Sequence, residues 1–157
     1  MTQEHVTIYT DGAARGNPGP GGYGVVLLYK GHRKELSEGF RNTTNNRMEL
    51  LAVIAGLEAL KRKDLSVRIY SDSKYVVDAV NQGWLWNWEA KGFKKKKNQD
   101  LWERYIKLHK KFAIQFNWVK GHSSIPENER CDQLAVEASL IPNLKADIGY
   151  EKTNGVD

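Results

Sequence analysis

The chain has 157 residues, 40% hydrophobic and 27% charged, which suits one domain with a real core. It contains no run of about 18 apolar residues that could span a membrane. Its opening, Met1-Thr2-Gln3-Glu4-His5, has neither the basic nor the apolar part of a secretory signal. A single cysteine, Cys131, excludes an internal disulfide framework and a Cys-rich zinc site, so a cytoplasmic protein is expected. The net charge of +5 (24 Lys and Arg against 19 Asp and Glu) is too small to name a partner.

Residues 5–11 read as a strand, Gly12 to Gly24 as a Gly- and Pro-rich turn, and Gly24 to Tyr29 as a second strand. Gly31-His32 reads as a hairpin turn into a third strand near 34–40, completing an antiparallel meander. Residues 46–62 form a helix that is apolar on most faces and therefore buried. A strand over 66–72 follows, and the helix between it and the meander favours parallel pairing with the first strand. A short helix near 73–81, a Trp- and Lys-rich segment, a helix near 99–111 and a strand near 114–119 come next. The last helix runs from about Pro126 to Leu140, with Ser124 and Glu127 spaced as a capping box. The tail from Lys145 to Asp157 is weakly patterned, and partial disorder is expected there.

The run Ile8-Tyr9-Thr10-Asp11 has a near-copy in Ile69-Tyr70-Ser71-Asp72. Laid side by side as parallel strands, the two would bring their carboxylates to roughly 5 Å from one another. Carboxylates that close repel unless a proton or a cation lies between them, and a hard divalent ion such as Mg²⁺ takes oxygen ligands. Each acid also has an ordinary reading. Asp11 and Asp72 could bond turn amides. Glu49 stands three residues after Asn46, the spacing of an N-cap and its returning glutamate. Asp132 shares a helix face with Asn128 and could be a solvated acid.

His122, in the glycine-flanked loop Gly121-His122-Ser123, could be a surface residue or could move protons beside a metal site. Cys131 sits mid-helix, where thiols are usually buried and inert. The glycine run lacks a P-loop ending, so its flat backbone suits close approach to a sugar-phosphate chain instead. Lys91, Lys94, Lys95, Lys96 and Lys97 lie near Trp84, Trp86, Trp88 and Phe93. That mixture suits nucleic acid, with lysines for phosphates and rings for sugars or bases; the ordinary reading is a tryptophan-anchored small core.

Several stretches together are highly specific: Tyr9-Thr10-Asp11-Gly12, Gly16 to Gly24, Thr43 to Leu50, Asp72-Ser73, Trp118 to His122 and Pro126 to Asp132. In this order they resemble bacterial type 1 ribonuclease H over about residues 5 to 150. The resemblance implies an α/β ribonuclease H-like fold, with three antiparallel strands and two parallel to the first, flanked by helices. It implies a single-domain, monomeric endonuclease that cuts the RNA strand of RNA/DNA hybrids, leaving 3′-hydroxyl and 5′-phosphate ends. Two Mg²⁺ ions per site, or Mn²⁺ in their place, would be held by Asp11, Glu49, Asp72 and Asp132. Asp11 would bridge the ions, Glu49 would also reach a ribose 2′-hydroxyl, and His122 would assist proton movement or product release. Asn17, Asn45 and Asn46 match groove-contacting positions, and Asn128 joins the substrate-binding set. Thr44 and Asn98 match positions that hold a DNA-strand phosphate, and the Trp/Lys segment matches a basic protrusion that grips the hybrid.

The chain departs from that pattern in three places. Asn42 stands where an arginine is usual, with Arg41 one position early; Lys74 stands where a glutamine is common; and the protrusion is a few residues short. Two other classes remain open to the residues alone. One is a DNA nuclease or strand-transfer domain on the same fold, and the other is a hybrid-binding module without catalysis.

Overall fold

The computed structural model describes residues 5–121 and 124–153. The first strand, β1 (His5–Ala14), pairs antiparallel with β2 (Gly19–Tyr29), which pairs antiparallel with β3 (His32–Thr43). Helix α1 (Asn45–Glu58) leads to β4 (Ser66–Ser71), which lies parallel to β1. Then come α2 (Lys74–Asn81), α3 (Trp84–Ala90) and α4 (Gln99–His109). Strand β5 (Ala113–Trp118) runs parallel to β4, followed by α5 (Pro126–Ser139) and α6 (Ile148–Thr153). The sheet order is β3-β2-β1-β4-β5, as expected. Among the described residues no helix is long and apolar enough to cross a membrane.

Strand alternation distributes side chains to two helical layers. Ile8 and Val25 face α1 at Gly56, while Tyr9 and Val26 pack with Cys131 and Leu134 of α5. Helix α1 is apolar on most faces because it is enclosed, with the sheet on one side and α4 on the other. Trp102 and Tyr105 of α4 are fully buried in that layer. The hairpin turn is Lys30-Gly31, both at positive φ (49° and 80°), one residue earlier than the sequence suggested.

The glycine-rich segment is mostly strand rather than turn, because β1 continues to Ala14 and β2 begins at Gly19. Its glycines bring the sheet against α5. A Cβ on Gly24 would stand 2.2 Å from the Cys131 carbonyl oxygen, and one on Gly22 would stand 2.6 Å from that of Ala135. The Ser124/Glu127 capping box does not form. Ile125 is the N-cap residue of α5 with no side-chain cap, and Ser124 sits at a positive φ of 66°.

The weakly patterned tail carries structure up to Thr153. Lys145 bridges Phe40 beside β3, and α6 follows. The anchor is Arg47, which is buried and uses all five of its N–H donors. Its Nε and Nη2 reach Asp147 at 2.8 and 2.9 Å, its Nη1 and Nη2 reach Asp100 at 2.9 and 2.8 Å, and Nη1 also reaches Asn98 Oδ1 at 3.3 Å. Thr43 Oγ1 donates to Asp147 at 2.7 Å. Arg41 turns to the tail as well, pairing with Glu151 at 2.7 Å.

Candidate active site

The echoed runs lie side by side, as their sequences suggested. Ile8 faces Ile69 and Tyr9 faces Tyr70 in the parallel register, and the two tyrosine rings stack at 5.0 Å. Two residues further along each chain come Asp11 and Asp72. Glu49, on the first turns of α1, reaches the same point. One oxygen from each of the three carboxylates falls within 4.8 Å of the others.

Glu49 is not a capping glutamate. Thr44 caps α1, accepting the Arg47 N–H at 3.2 Å, so Glu49 turns toward β1. The Gly12 N–H donates to both Asp11 Oδ1 (2.9 Å) and Glu49 Oε1 (3.1 Å). No side chain could stand at Gly12, since a Cβ would fall 2.4 Å from the Met48 carbonyl carbon. That close approach of β1 to α1 is what makes the cluster tight.

The electrostatics of the trio are unfavourable for bare carboxylates. Burial, and then the charge of Asp72, push Asp11 up to about 7. Burial, with Asp11 and Asp72 beside it, holds Glu49 well above the usual carboxylate range. Glu49 Oε2 is buried with no hydrogen-bond partner among the described residues. An orphaned carboxylate oxygen among acids that prefer a proton is a donor set suited to a hard divalent cation.

Asp132 lines the same cleft, of about 440 Å³, together with Asn45, Asn46 and Asn128. It lies outside the tight trio, yet its charge still raises Asp11. Asn128 is buried and its Oδ1 has no partner among the described residues. His122 lies outside the described residues. Gly121 immediately before it passes close to Asp72, whose Oδ2 would be 3.0 Å from a Cβ there.

Asn17 and Asn45 have their acceptors occupied. Asn17 Oδ1 takes the Asn45 N–H at 2.9 Å, and Asn45 Oδ1 takes the Ala14 N–H at 2.6 Å. Their amide N–H₂ groups therefore remain as donors. Trp84 is 46% exposed, whereas Trp88 packs edge-on against Trp102 at 5.8 Å with Lys96 Nζ above it at 5.0 Å. Trp86 packs on His109 at 4.8 Å. The segment is thus tryptophan-anchored, and it presents Lys91, Lys94, Lys95, Lys96 and Lys97 to solvent. Cys131 is inert, as expected: burial pushes its thiol up, and Sγ donates to the Tyr9 carbonyl at 3.2 Å. Sequence patterns alone assign no role to Arg47 or Tyr75. Tyr75 lines the cleft two residues after the N-cap Ser73, a placement only the fold reveals.

The model of the family described as RNase H matches residues 3–140 of the chain. A ribonuclease H of Desulforamulus reducens is 61% identical over 150 residues, covering 92% of this chain and 94% of that protein. Ribonuclease HI of Synechocystis sp. is 50% identical over 158 residues, covering 96% and 98%. Among solved structures, LC9-RNase H1, described as a type 1 RNase H with the type 2 active-site motif, superposes with a TM-score of 0.77 at 31% identity, over 88% of this chain and 74% of that one. LC11-RNase H1, in complex with RNA/DNA hybrid, superposes with a TM-score of 0.62 at 32% identity, over 85% and 95%. With its sheet order, its carboxylate trio and relatives matched over nearly their whole length, the chain belongs to the RNase H family.

Proposed function

We propose that this chain is a metal-dependent endoribonuclease that hydrolyses the RNA strand of RNA/DNA hybrids, leaving 3′-hydroxyl and 5′-phosphate ends. The observation that carries the reading is the trio Asp11, Glu49 and Asp72, two buried acids and one half-buried acid whose oxygens converge within 4.8 Å, within an RNase H chain. We assign Mg²⁺ as the ion, Mn²⁺ as a substitute, and two ions per site, with Asp132 as the fourth ligand. When bound, the ions supply a Lewis acid for the attacking water and for the leaving 3′-oxygen. Asp11, Glu49, Asp72 and Asp132 would hold them, and His122 is assigned to proton movement.

The remaining residues bind and orient the substrate. A hybrid's minor groove exposes acceptors and ribose 2′-hydroxyls. The donor-only faces left on Asn17 and Asn45 complement those acceptors, and Asn46 and Asn128 flank them. Thr44, whose oxygen already accepts the Arg47 N–H, has its hydroxyl proton to offer a phosphate. Asn98, whose Oδ1 accepts from Arg47 Nη1, is tied to the same arginine. The lysines of 91–97, with Trp84 and Trp88, supply the sequence-independent grip on the backbone. A single cysteine fits a reducing compartment, and we assign a monomeric, single-domain cytoplasmic enzyme.

The test is a gel assay of end-labelled strands as RNA/DNA hybrid, RNA/RNA, DNA/DNA and single strand, with Mg²⁺ and with EDTA. Cleavage confined to the RNA of the hybrid and abolished by EDTA is the expected result. Cleavage of DNA/DNA would point to a DNA nuclease, and binding of the hybrid without cleavage would point to a binding module.

A further inference from the structure

We propose that the Tyr75 hydroxyl is a dedicated hydrogen-bond donor to one non-bridging phosphate oxygen of the bound hybrid; this rests on the reading of the cleft given above. The protons around one oxygen decide the matter. Asn98 Nδ2 donates to Tyr75 Oη at 3.0 Å, and Trp102 Nε1 donates to it at 2.9 Å. Neither donor can reverse its role. The indole nitrogen only donates, and the Asn98 amide is oriented by Arg47 Nη1, which donates to Oδ1 at 3.3 Å. Two donors occupy the phenolic oxygen as an acceptor, so what remains is its own proton. Among the described residues nothing accepts that proton.

Tyr75 is only half-buried and lines the same cleft as Asp11, Glu49 and Asp72. A hydroxyl forced to donate at the rim of a cleft for a polyanion is matched by an anionic oxygen rather than by another donor. The second N–H of Asn98 stands beside it, so the two can share one phosphate. The ring is fixed by its contact with Trp102, with centroids 5.7 Å apart, which pre-sets the hydroxyl and keeps the ordering cost on binding low. Because α2 begins just after Asp72, this donor also sets the register between the held phosphate and the carboxylate trio.

The test pairs Tyr75→Phe with hybrids carrying a stereopure methylphosphonate at each phosphate in turn. Tyr75→Phe retains the ring, and unmodified hybrid should bind it roughly tenfold more weakly. At one phosphate the methylphosphonate penalty should be about tenfold smaller in the variant than in the wild-type protein, the signature of a broken pairwise interaction. Equal penalties at every phosphate, in a protein that does cleave the hybrid, would overturn the assignment of Tyr75 alone. A wild-type protein that neither binds nor cleaves hybrid overturns this proposal together with the functional reading. If Tyr75→Phe does not fold, 3-fluorotyrosine at position 75 keeps both accepted bonds while strengthening the donor. An altered penalty at one phosphate then supports the interaction, and no change at any phosphate overturns it.

Discussion

Two charged clusters, each centred on a buried residue of α1, grow from its first turns two residues apart, and they are built on opposite principles. Arg47 brings one cation to Asp100 and Asp147 and satisfies every N–H it has. Glu49 brings a third carboxylate to Asp11 and Asp72 and leaves an oxygen unpartnered among the described residues. The first cluster is complete in the folded chain and ties the tail and α4 to the helix. The second gathers like charges, the arrangement a cation would relieve. Stability and activity should therefore separate cleanly between them.

The largest effect expected is on turnover. Asp72→Asn removes a proposed cation ligand and should lower kcat on the order of 10³-fold, several kcal/mol of transition-state stabilisation, in a steady-state cleavage assay. Hybrid affinity should survive, because on the proposed reading the exposed lysines supply most of it. Near-normal turnover in Mg²⁺ would remove Asp72 from the site.

Breaking the other cluster should unfold rather than inactivate. Arg47→Met strands the Asp147 carboxylate in the interior and should cost about 3–5 kcal/mol by denaturant titration. A loss under about 1 kcal/mol would mean that the cluster is not what anchors the tail.

The metal-free carboxylate trio should destabilise the fold, and its sign can be read from pH. Asp11 binds its proton more tightly folded (about 7) than unfolded (3.8). Its contribution is therefore fully present below pH 4 and lost as pH rises toward 7. Asp11→Asn should stabilise the metal-free protein at pH 8 by on the order of 2 kcal/mol and have little effect below pH 4. Mg²⁺ should stabilise the wild type at pH 8 and the variant less. Equal stability of the two proteins at pH 8 without metal would show that the trio is not strained.

The smallest effect is expected at the basic segment. Replacing Lys95 and Lys96 by alanine should reduce the slope of log affinity against log salt by about one for each phosphate that is no longer neutralised, with kcat unchanged. An unaltered slope would leave these lysines as a solvated surface.

Much of this comparison could be read from the sequence, but unevenly. The echo of Ile-Tyr-x-Asp fixed the β1–β4 register and so placed Asp11 near Asp72, because parallel pairing aligns like positions. Glu49 was ambiguous in sequence because capping and metal ligation use the same residue at the same spacing. The choice depended on Thr44, two residues before Asn46, being the cap. The glycine run read as a turn whose flat backbone could approach a sugar-phosphate chain, while in the fold its glycines admit the close approach of α5, which lies more than 100 residues away in sequence. Helix α6 and the Arg47 cluster were invisible for a similar reason. Asp147 is buried by an arginine 100 residues distant, and no local pattern records that. Asp132 carried no local signal either, apart from the resemblance.

The most direct measurement is a crystal of the protein soaked in Mn²⁺, with anomalous scattering collected to locate the ions. Peaks among the oxygens of Asp11, Glu49 and Asp72, with Asp132 at their edge, are expected. An enzyme that cleaves hybrid in Mn²⁺ while its crystals hold the ion only elsewhere would contradict the assignment of the buried carboxylates as the catalytic metal site.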